Sequence, residues 1–105
     1  MLHFFDMLRV RLLPEGVVLL SVRVSDGRVD EYRFEVTTFR EMASAYQELP
    51  PEWSGPESLQ VKADTGRQLV SLVIAVGPAK REVYRIGQSQ FEAMLASFRA
   101  SDQGN

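Results

Sequence analysis

An internal repeat constrains this chain more than any other feature. Residues 69–98 align with residues 17–46 without a gap. Aligned positions are identical at Val18/Val70, Leu20/Leu72, Val24/Val76, Tyr32-Arg33/Tyr84-Arg85, Phe39/Phe91 and Met42/Met94. Self-similarity at a fixed spacing is the signature of a duplicated supersecondary unit. The chain is therefore predicted to contain one structural unit twice.

Each unit reads as three strands followed by one helix. In the first unit Leu8, Val10 and Leu12 alternate with arginines, and alternation resumes along residues 17–24 and 28–36. This is the period of half-buried strands. Apolar residues then recur at helical spacing. The predicted fold is α+β: an internally duplicated βββα unit, with antiparallel sheet or sheets, two helices packed on one face and a pseudo-two-fold axis.

The length of the hairpin loop can be predicted from the burial pattern. A two-residue turn in the first hairpin would mix apolar and charged faces, whereas a three-residue loop over 25–27, with Gly27 left-handed, keeps them apart. The second hairpin has the same solution. The predicted inward pairs are Leu20 with Tyr32, Val18 with Phe34, Leu72 with Tyr84, and Val70 with Ile86. Asp30 and Glu82 then fall at the far end of the apolar face, beyond the predicted reach of the helices.

The chain of 105 residues is predicted to form one domain, residues 1–105. It is built of two repeats, about 7–49 and 58–100, with a linker at 50–57 and a flexible tail at 101–105. Thr38 and Ser89 are each followed three residues later by glutamate, which predicts capping boxes at the two helix starts. Two repeats that share a core are needed because about 50 residues alone would be marginally stable.

Composition excludes several classes of chemistry. The chain has no cysteine, one histidine (His3) and a net charge of −2, so no disulfide framework, metal site or catalytic cluster is predicted. Asp6 and Arg9 interrupt the apolar N-terminal run, so no signal peptide or membrane span is predicted either. The expectation is a non-enzymatic, cytoplasmic protein without cofactor, metal or membrane partner.

The outer sheet face is predicted to be the functional surface. The alternation that turns the tyrosines inward leaves the opposite side too apolar for a solvated surface and too charged for a core, so it is expected to meet a partner. This side carries Val17, Leu19, Ser21, Arg23, Glu31 and Arg33 in the first repeat, and Leu69, Ser71, Val73, Ala75, Val83 and Arg85 in the second.

Two functions compete for this surface. Single-stranded nucleic acid would be held by strand cations on its phosphates, and the candidates are Arg9, Arg11, Arg23, Arg33, Lys62, Arg81 and Arg85. A protein interface, in a homodimer or a small partner-binding or immunity-type protein, would instead use Val17, Leu19, Leu69 and Val73. Trp53, in the linker, is open to interpretation as a cap over the core edge or as an exposed anchor.

Residues 83–98, Val-Tyr-Arg-Ile-Gly-Gln-Ser-Gln-Phe-Glu-Ala-Met-Leu-Ala-Ser-Phe, resemble the end of a whirly-type transcriptional coactivator repeat. In both, a last strand runs through a small polar segment into a helix that opens with glutamine and an aromatic residue. The resemblance implies antiparallel sheets backed by helices, two units around a two-fold axis, and single-stranded DNA bound on the sheets. It implies phosphate contacts by the strand arginines.

Overall fold

The elements follow the order βββα–βββα, which confirms the duplicated α+β unit. The computed structural model describes residues 2–24 and 27–103, with side chains from residue 8 onward in those ranges. In chain order the elements are β1 (Leu2–Leu13), β2 (Val17–Val24), β3 (Val29–Glu35), α1 (Val36–Tyr46), β4 (Leu59–Asp64), β5 (Leu69–Ala75), β6 (Arg81–Gly87) and α2 (Gln88–Gln103).

Backbone hydrogen bonds confirm the three-residue loop in both hairpins. The Val24 N–H donates to the Arg28 carbonyl at 2.9 Å, and the Val76 N–H donates to the Lys80 carbonyl at 3.0 Å. Gly27 adopts a φ of 89°, the left-handed conformation that a glycine accepts without strain. The predicted inward pairs are therefore confirmed: Leu20↔Tyr32, Val18↔Phe34, Leu72↔Tyr84 and Val70↔Ile86.

Both helices begin earlier than the capping boxes predict. α1 starts at Val36, immediately after β3, and Glu35 at its N-cap makes no side-chain capping bond. α2 starts at Gln88, immediately after β6. In each repeat the extended backbone of the third strand passes directly into the first helical turn. Thr38 and Ser89 consequently lie inside the helices, where they cannot act as N-caps.

The second helix extends into the predicted tail at 101–105, because α2 is helical through Gln103. Arg40 of α1 donates two hydrogen bonds to the Asp102 carboxylate, at 2.6 and 2.9 Å. Such a bidentate pair fixes geometry as well as charge. The hydrogen bonding to Arg40 also lowers the pKa of Asp102. Residues 104–105 lie outside the described residues.

The six strands form one sheet in the order β3-β2-β1-β6-β5-β4. Neighbouring strands are antiparallel except at the centre, where Leu2–Phe4 of β1 runs parallel to Val83–Arg85 of β6. The register of β1 is irregular between Phe5 and Met7, and β1 then pairs with β2 up to its end. β1 therefore joins the two three-stranded units: its start belongs with β6 and its remainder with β2.

Reciprocal ring contacts between the helices show the pseudo-two-fold relation. Phe39 of α1 packs on Phe98 of α2 with 4.6 Å between ring centroids. The equivalent pair by the repeat alignment, Phe91 of α2 and Tyr46 of α1, packs at 4.8 Å. Each such pair contributes about 0.5–1.5 kcal/mol beyond its buried area. Because each helix gives its partner the same two rings in reverse order, the helices run antiparallel.

One core serves both repeats. The inward side chains of β2, β4, β5 and β6 and the apolar stripes of both helices form a single buried cluster. Tyr32 of β3 contacts Tyr84 of β6, with ring centroids 6.0 Å apart, although three steps of the sheet order separate these strands. The sheet must therefore curve until its two halves face each other across the core. The outer faces consequently lie on different sides of the molecule, and the single outer surface expected from the sequence is corrected to two.

Candidate functional site

The outward side chains of β1, β2 and β3 form a surface that we call the arginine face. Arg9 lies opposite Ser21, and Arg11 lies opposite Leu19, which in turn lies opposite Arg33. Side chains directly opposite each other on adjacent strands are about 5 Å apart. Arginines of β1, β2 and β3 therefore lie on one surface. The members of this face are Arg9, Arg11, Val17, Leu19, Ser21, Arg23, Val29, Glu31, Arg33 and Glu35.

The arginine face carries a local excess of positive charge. Arg9, Arg11 and Arg33 make no ion pair with any carboxylate in the described part of the chain. Glu31, the carboxylate at the centre of the face, accepts a hydrogen bond from the Ser21 hydroxyl at 3.3 Å. Four arginines against two glutamates make this face cationic in a chain whose net charge is −2. Its field would attract an anionic ligand that the whole chain would not.

An open groove of about 460 Å³ crosses the arginine face. Its lining combines cations with apolar side chains: Arg9, Arg11, Leu19, Ser21, Arg23, Val29 and Glu31. Val29 is 54% exposed at one end of it. The β3 rings, Tyr32 and Phe34, pack toward the core, and no aromatic ring among the described side chains lies on this face. A ligand here would meet guanidinium groups and aliphatic carbons.

The remaining predicted cations, Lys62, Arg81 and Arg85, lie on the outer face of β4, β5 and β6. Lys62 and Arg85 flank Ser71 in one cross-strand row. The Lys62 Nζ lies 5.4 Å from the centroid of the Trp53 ring, and Trp53 keeps 40% of its surface exposed. The structure therefore divides the seven candidates, with four on the arginine face and three on the other.

The four predicted interface residues are divided in the same way. Val17 and Leu19 are half-buried on the arginine face, and Leu69 is half-buried on the other outer face. Val73, also on that second face, is only 6% exposed. These residues do not form one apolar patch, so an interface would use one pair or the other.

A polar network that the sequence analysis missed closes the core at the pseudo-two-fold axis. The Tyr32 hydroxyl donates to the Tyr84 hydroxyl, which donates to the Asp30 carboxylate at 2.9 Å. Arg28 pairs with Asp30 at 3.2 Å. Asp30 was expected to lie beyond the reach of the helices, and its partner comes instead from a strand in the opposite half of the sheet. The available signal was the repetition of an acid two residues before an inward tyrosine, seen again at Glu82.

The two tyrosines of this network keep their protons near neutral pH. Burial, followed by hydrogen bonding to Tyr32 and Asp30, raises the pKa of Tyr84 far above its usual range. Burial also raises the pKa of Tyr32. A tyrosine becomes a base or nucleophile only when it loses its proton. The geometry and the pKa directions therefore favour a structural role for the network.

Metal-binding and membrane-spanning features are not found in the described residues. No group of three or more histidine, aspartate or glutamate side chains among them could hold a metal ion. No helix in the described ranges is long and apolar enough to cross a membrane. The side chain of His3 lies outside the described residues.

The comparisons with known proteins give no family for this chain, so the likeness to whirly repeats stays a prediction. No family model matches it, and no curated protein or solved structure matches it significantly.

Proposed function

We propose that this protein is a non-enzymatic binding module that holds single-stranded nucleic acid on its arginine face. One observation carries the proposal: three strands bring four arginines to one face, where Arg9, Arg11 and Arg23 line an open groove and Arg33 lies in the row of Arg11. Arginine donates paired hydrogen bonds to phosphate oxygens. The aliphatic lining beside those arginines offers contact to unstacked bases, which a duplex would keep inside its stack.

The register determines how a strand of nucleic acid would lie. Arg11 and Arg33 share one cross-strand row with Leu19 between them, and Arg9 lies in the next row, about 7 Å along the strand direction. A backbone crossing the strands would therefore meet a cation on each side of an apolar strip. Phosphates would be held at the margins and bases would contact Leu19 and Val29.

Fluorescence anisotropy with a labelled single-stranded oligonucleotide tests the proposal, at two salt concentrations. The affinity should fall as salt rises, because each neutralised phosphate releases counterions. The Arg11→Ala/Arg33→Ala variant should bind more weakly and lower the salt slope by about 1.4, since each single-strand phosphate contact contributes about 0.7.

The matched control is Lys62→Ala/Arg85→Ala, which removes the same charge from the other outer face. It should leave the slope close to that of the unmodified protein. Undetectable binding at low salt would exclude the proposal, and equal weakening by both double variants would mean that the nucleic acid responds to overall charge.

A protein interface on the same face is the second candidate function. The specific observation is an apolar strip of Val17 and Leu19, with Val29, which is 54% exposed, on the far side of the Ser21–Glu31 row. A strip of this kind in a mixed polar surface is a common anchor of protein contacts. Light scattering would detect a homodimer directly, and Leu19→Lys should return it to monomers. A protein that stays monomeric at all concentrations would exclude the homodimer hypothesis.

A further inference from the structure

The far edge of β1 carries backbone groups that no strand in the described part of the chain pairs. In β2 the Val24 N–H points at β3, where it donates to Arg28. The backbone N–H and C=O groups of successive residues in a strand point to opposite sides. The odd-numbered residues of β2 therefore bond to β1, where their partners include Arg9 and Arg11. The N–H and C=O groups of Leu8, Val10 and Leu12 therefore point away from β2. On that side β6 pairs only with residues 2–4.

In the second repeat the corresponding edge is covered. Val10 lies opposite Leu20 in the first repeat, and Val61 lies opposite Leu72 in the second, so Val10 and Val61 are counterparts. Val61 exchanges two backbone hydrogen bonds with Ser54 of the linker, at 2.8 and 2.9 Å. The linker thus adds a single antiparallel bridge to the edge of β4. The predicted linker at 50–57 therefore covers part of that edge.

The helix surface beside this strand edge is also repeated in the two halves. An ideal Cβ on Gly55 would lie 3.2 Å from the Leu59 carbonyl, 3.6 Å from the Met42 Cα and 3.8 Å from the Ala45 Cβ. The linker therefore fills the space between β4 and α1 so closely that a glycine is needed there. By the repeat alignment, Met94 and Ser97 stand in the places of Met42 and Ala45.

The counterpart space in the first repeat is an open groove of about 530 Å³. We call it the β1–α2 groove, and its lining consists of Leu8, Arg9, Val10, Arg11, Gln90, Ala93, Met94 and Ser97. Burial differs accordingly: Leu59 and Val61 are 0% exposed, whereas Leu8 and Val10 are only partly buried. An unpaired strand edge beside an open apolar wall is a template for strand addition.

We infer that the β1–α2 groove binds an extended acidic peptide segment of a partner protein, which adds to β1 as an antiparallel strand. The occupant pairs through its backbone because the same site in the second repeat is filled by the linker, where Ser54 and Val61 exchange two backbone hydrogen bonds. It is acidic because Arg9 and Arg11 border the edge and pair with no carboxylate in the described part of the chain. A small residue should face Ser97, as Gly55 does in the linker.

A second copy of the chain fits this edge poorly. Antiparallel addition of β1 to β1 would pair Val10 with Leu8, Val10 or Leu12 of the second copy. Each of these registers places arginine directly opposite arginine, and like charges in that position are destabilising. An acidic strand would instead bring carboxylates, which arginine attracts, to the side of Arg9 and Arg11. This site shares Arg9 and Arg11 with the arginine face, but its core is the strand edge and α2, which the proposed nucleic-acid function does not use.

A labelled synthetic peptide with the sequence of residues 49–58 is the probe. It contains the segment that fills the counterpart groove and carries two glutamates. Titrating this peptide with the full chain should give saturable binding, which fluorescence anisotropy would measure. Ser97→Trp should fill the groove and weaken binding at least about tenfold. Ala96→Trp, on an exposed position of the same helix that does not line the groove, should leave binding unchanged.

A charge-reversal variant and amide hydrogen exchange provide two further tests of the inference. Arg9→Glu/Arg11→Glu should also weaken binding at least about tenfold. Saturating peptide should slow amide hydrogen exchange at Val10 and Leu12 of the unmodified protein, a result that no folding defect of a variant can mimic.

Several outcomes would overturn the inference. These are absence of binding at millimolar peptide, binding insensitive to Ser97→Trp, or unchanged exchange at Val10. Self-association abolished by Ser97→Trp would overturn it too, because a second copy would then be the occupant. Nucleic-acid binding can fail or succeed independently of these results, since the peptide probe does not report on it.

Discussion

Removing the Tyr84 hydroxyl should destabilise the fold more than removing the Tyr32 hydroxyl, although the two tyrosines are repeat equivalents. Tyr84 is 0% exposed, accepts from Tyr32 and donates to the Asp30 carboxylate. The Tyr32 hydroxyl has Tyr84 as its one partner among the described residues. Tyr84→Phe therefore loses a bond to a charged group as well as the shared neutral bond, whereas Tyr32→Phe loses only the shared one.

The two costs can be worked from these contacts. A hydrogen bond to a charged group contributes about 1.5–3 kcal/mol and a neutral one about 1 kcal/mol. Asp30 keeps its ion pair with Arg28 in the variant, which limits the loss. We expect Tyr84→Phe to lower the free energy of unfolding by about 2 kcal/mol and Tyr32→Phe by about 1 kcal/mol. For a domain of this size these changes correspond to about 8 °C and 4 °C in Tm.

Urea unfolding followed by circular dichroism would measure both values, with calorimetry as the check on Tm. The double variant Tyr32→Phe/Tyr84→Phe completes a thermodynamic cycle, whose coupling should be about 1 kcal/mol because the two hydroxyls share one bond. Equal costs for the two single variants would refute the asymmetric network. So would a Tyr84→Phe protein within about 0.5 kcal/mol of the unmodified one.

Two further predictions concern pH and the linker. Burial, and then the hydrogen bond to Glu92, raises the pKa of Tyr46 from 10.0 to about 12, so the folded state holds this proton more tightly than the unfolded state. The stability due to this shift should be intact below about pH 10 and be lost as pH rises toward 12. In Tyr46→Phe, the free energy of unfolding measured with urea should therefore depend less on pH over that range. A pH dependence equal to that of the unmodified protein would contradict this prediction. Gly55 has a φ of 107° and its Cβ would lie 3.2 Å from the Leu59 carbonyl, so Gly55→Ala should lower the free energy of unfolding by about 1–3 kcal/mol. Gly77→Ala, where the added Cβ meets nothing within 4 Å, is the control and should change it by less than about 0.5 kcal/mol.

The sequence was sufficient to predict the hairpin loop length and the strand register, because both depend on the local pattern of apolar and charged residues. The alternation of apolar and charged residues required a three-residue loop, and this placed Tyr32 opposite Leu20 and Tyr84 opposite Leu72, as observed. A one-residue error would have turned every side chain of the strand to the other face. The same reasoning placed Arg33 and Arg85 outward correctly.

Relations between the repeats could not be predicted in the same way. The alignment shows that two units are alike, but it does not show how the sheet curves, so the bond from Tyr84 to Asp30 across the core was missed. It also does not reveal that the linker covers β4 while the matching edge of β1 stays open. The candidate site changed for this reason: the cations were identified from sequence, and their division between two faces was not.

The parallel pairing of Leu2–Phe4 with Val83–Arg85 bears on the order in which the chain folds. Each repeat can form its hairpin from neighbouring residues, but the central seam of the sheet joins the first strand to the last. During synthesis β1 must wait for β6 to leave the ribosome before this seam can form. Contacts between such distant segments slow folding, because the closure entropy is lost before the contacts stabilise the chain. The seam is therefore expected to form late, and until it does both edges of the growing sheet are open to association with other chains.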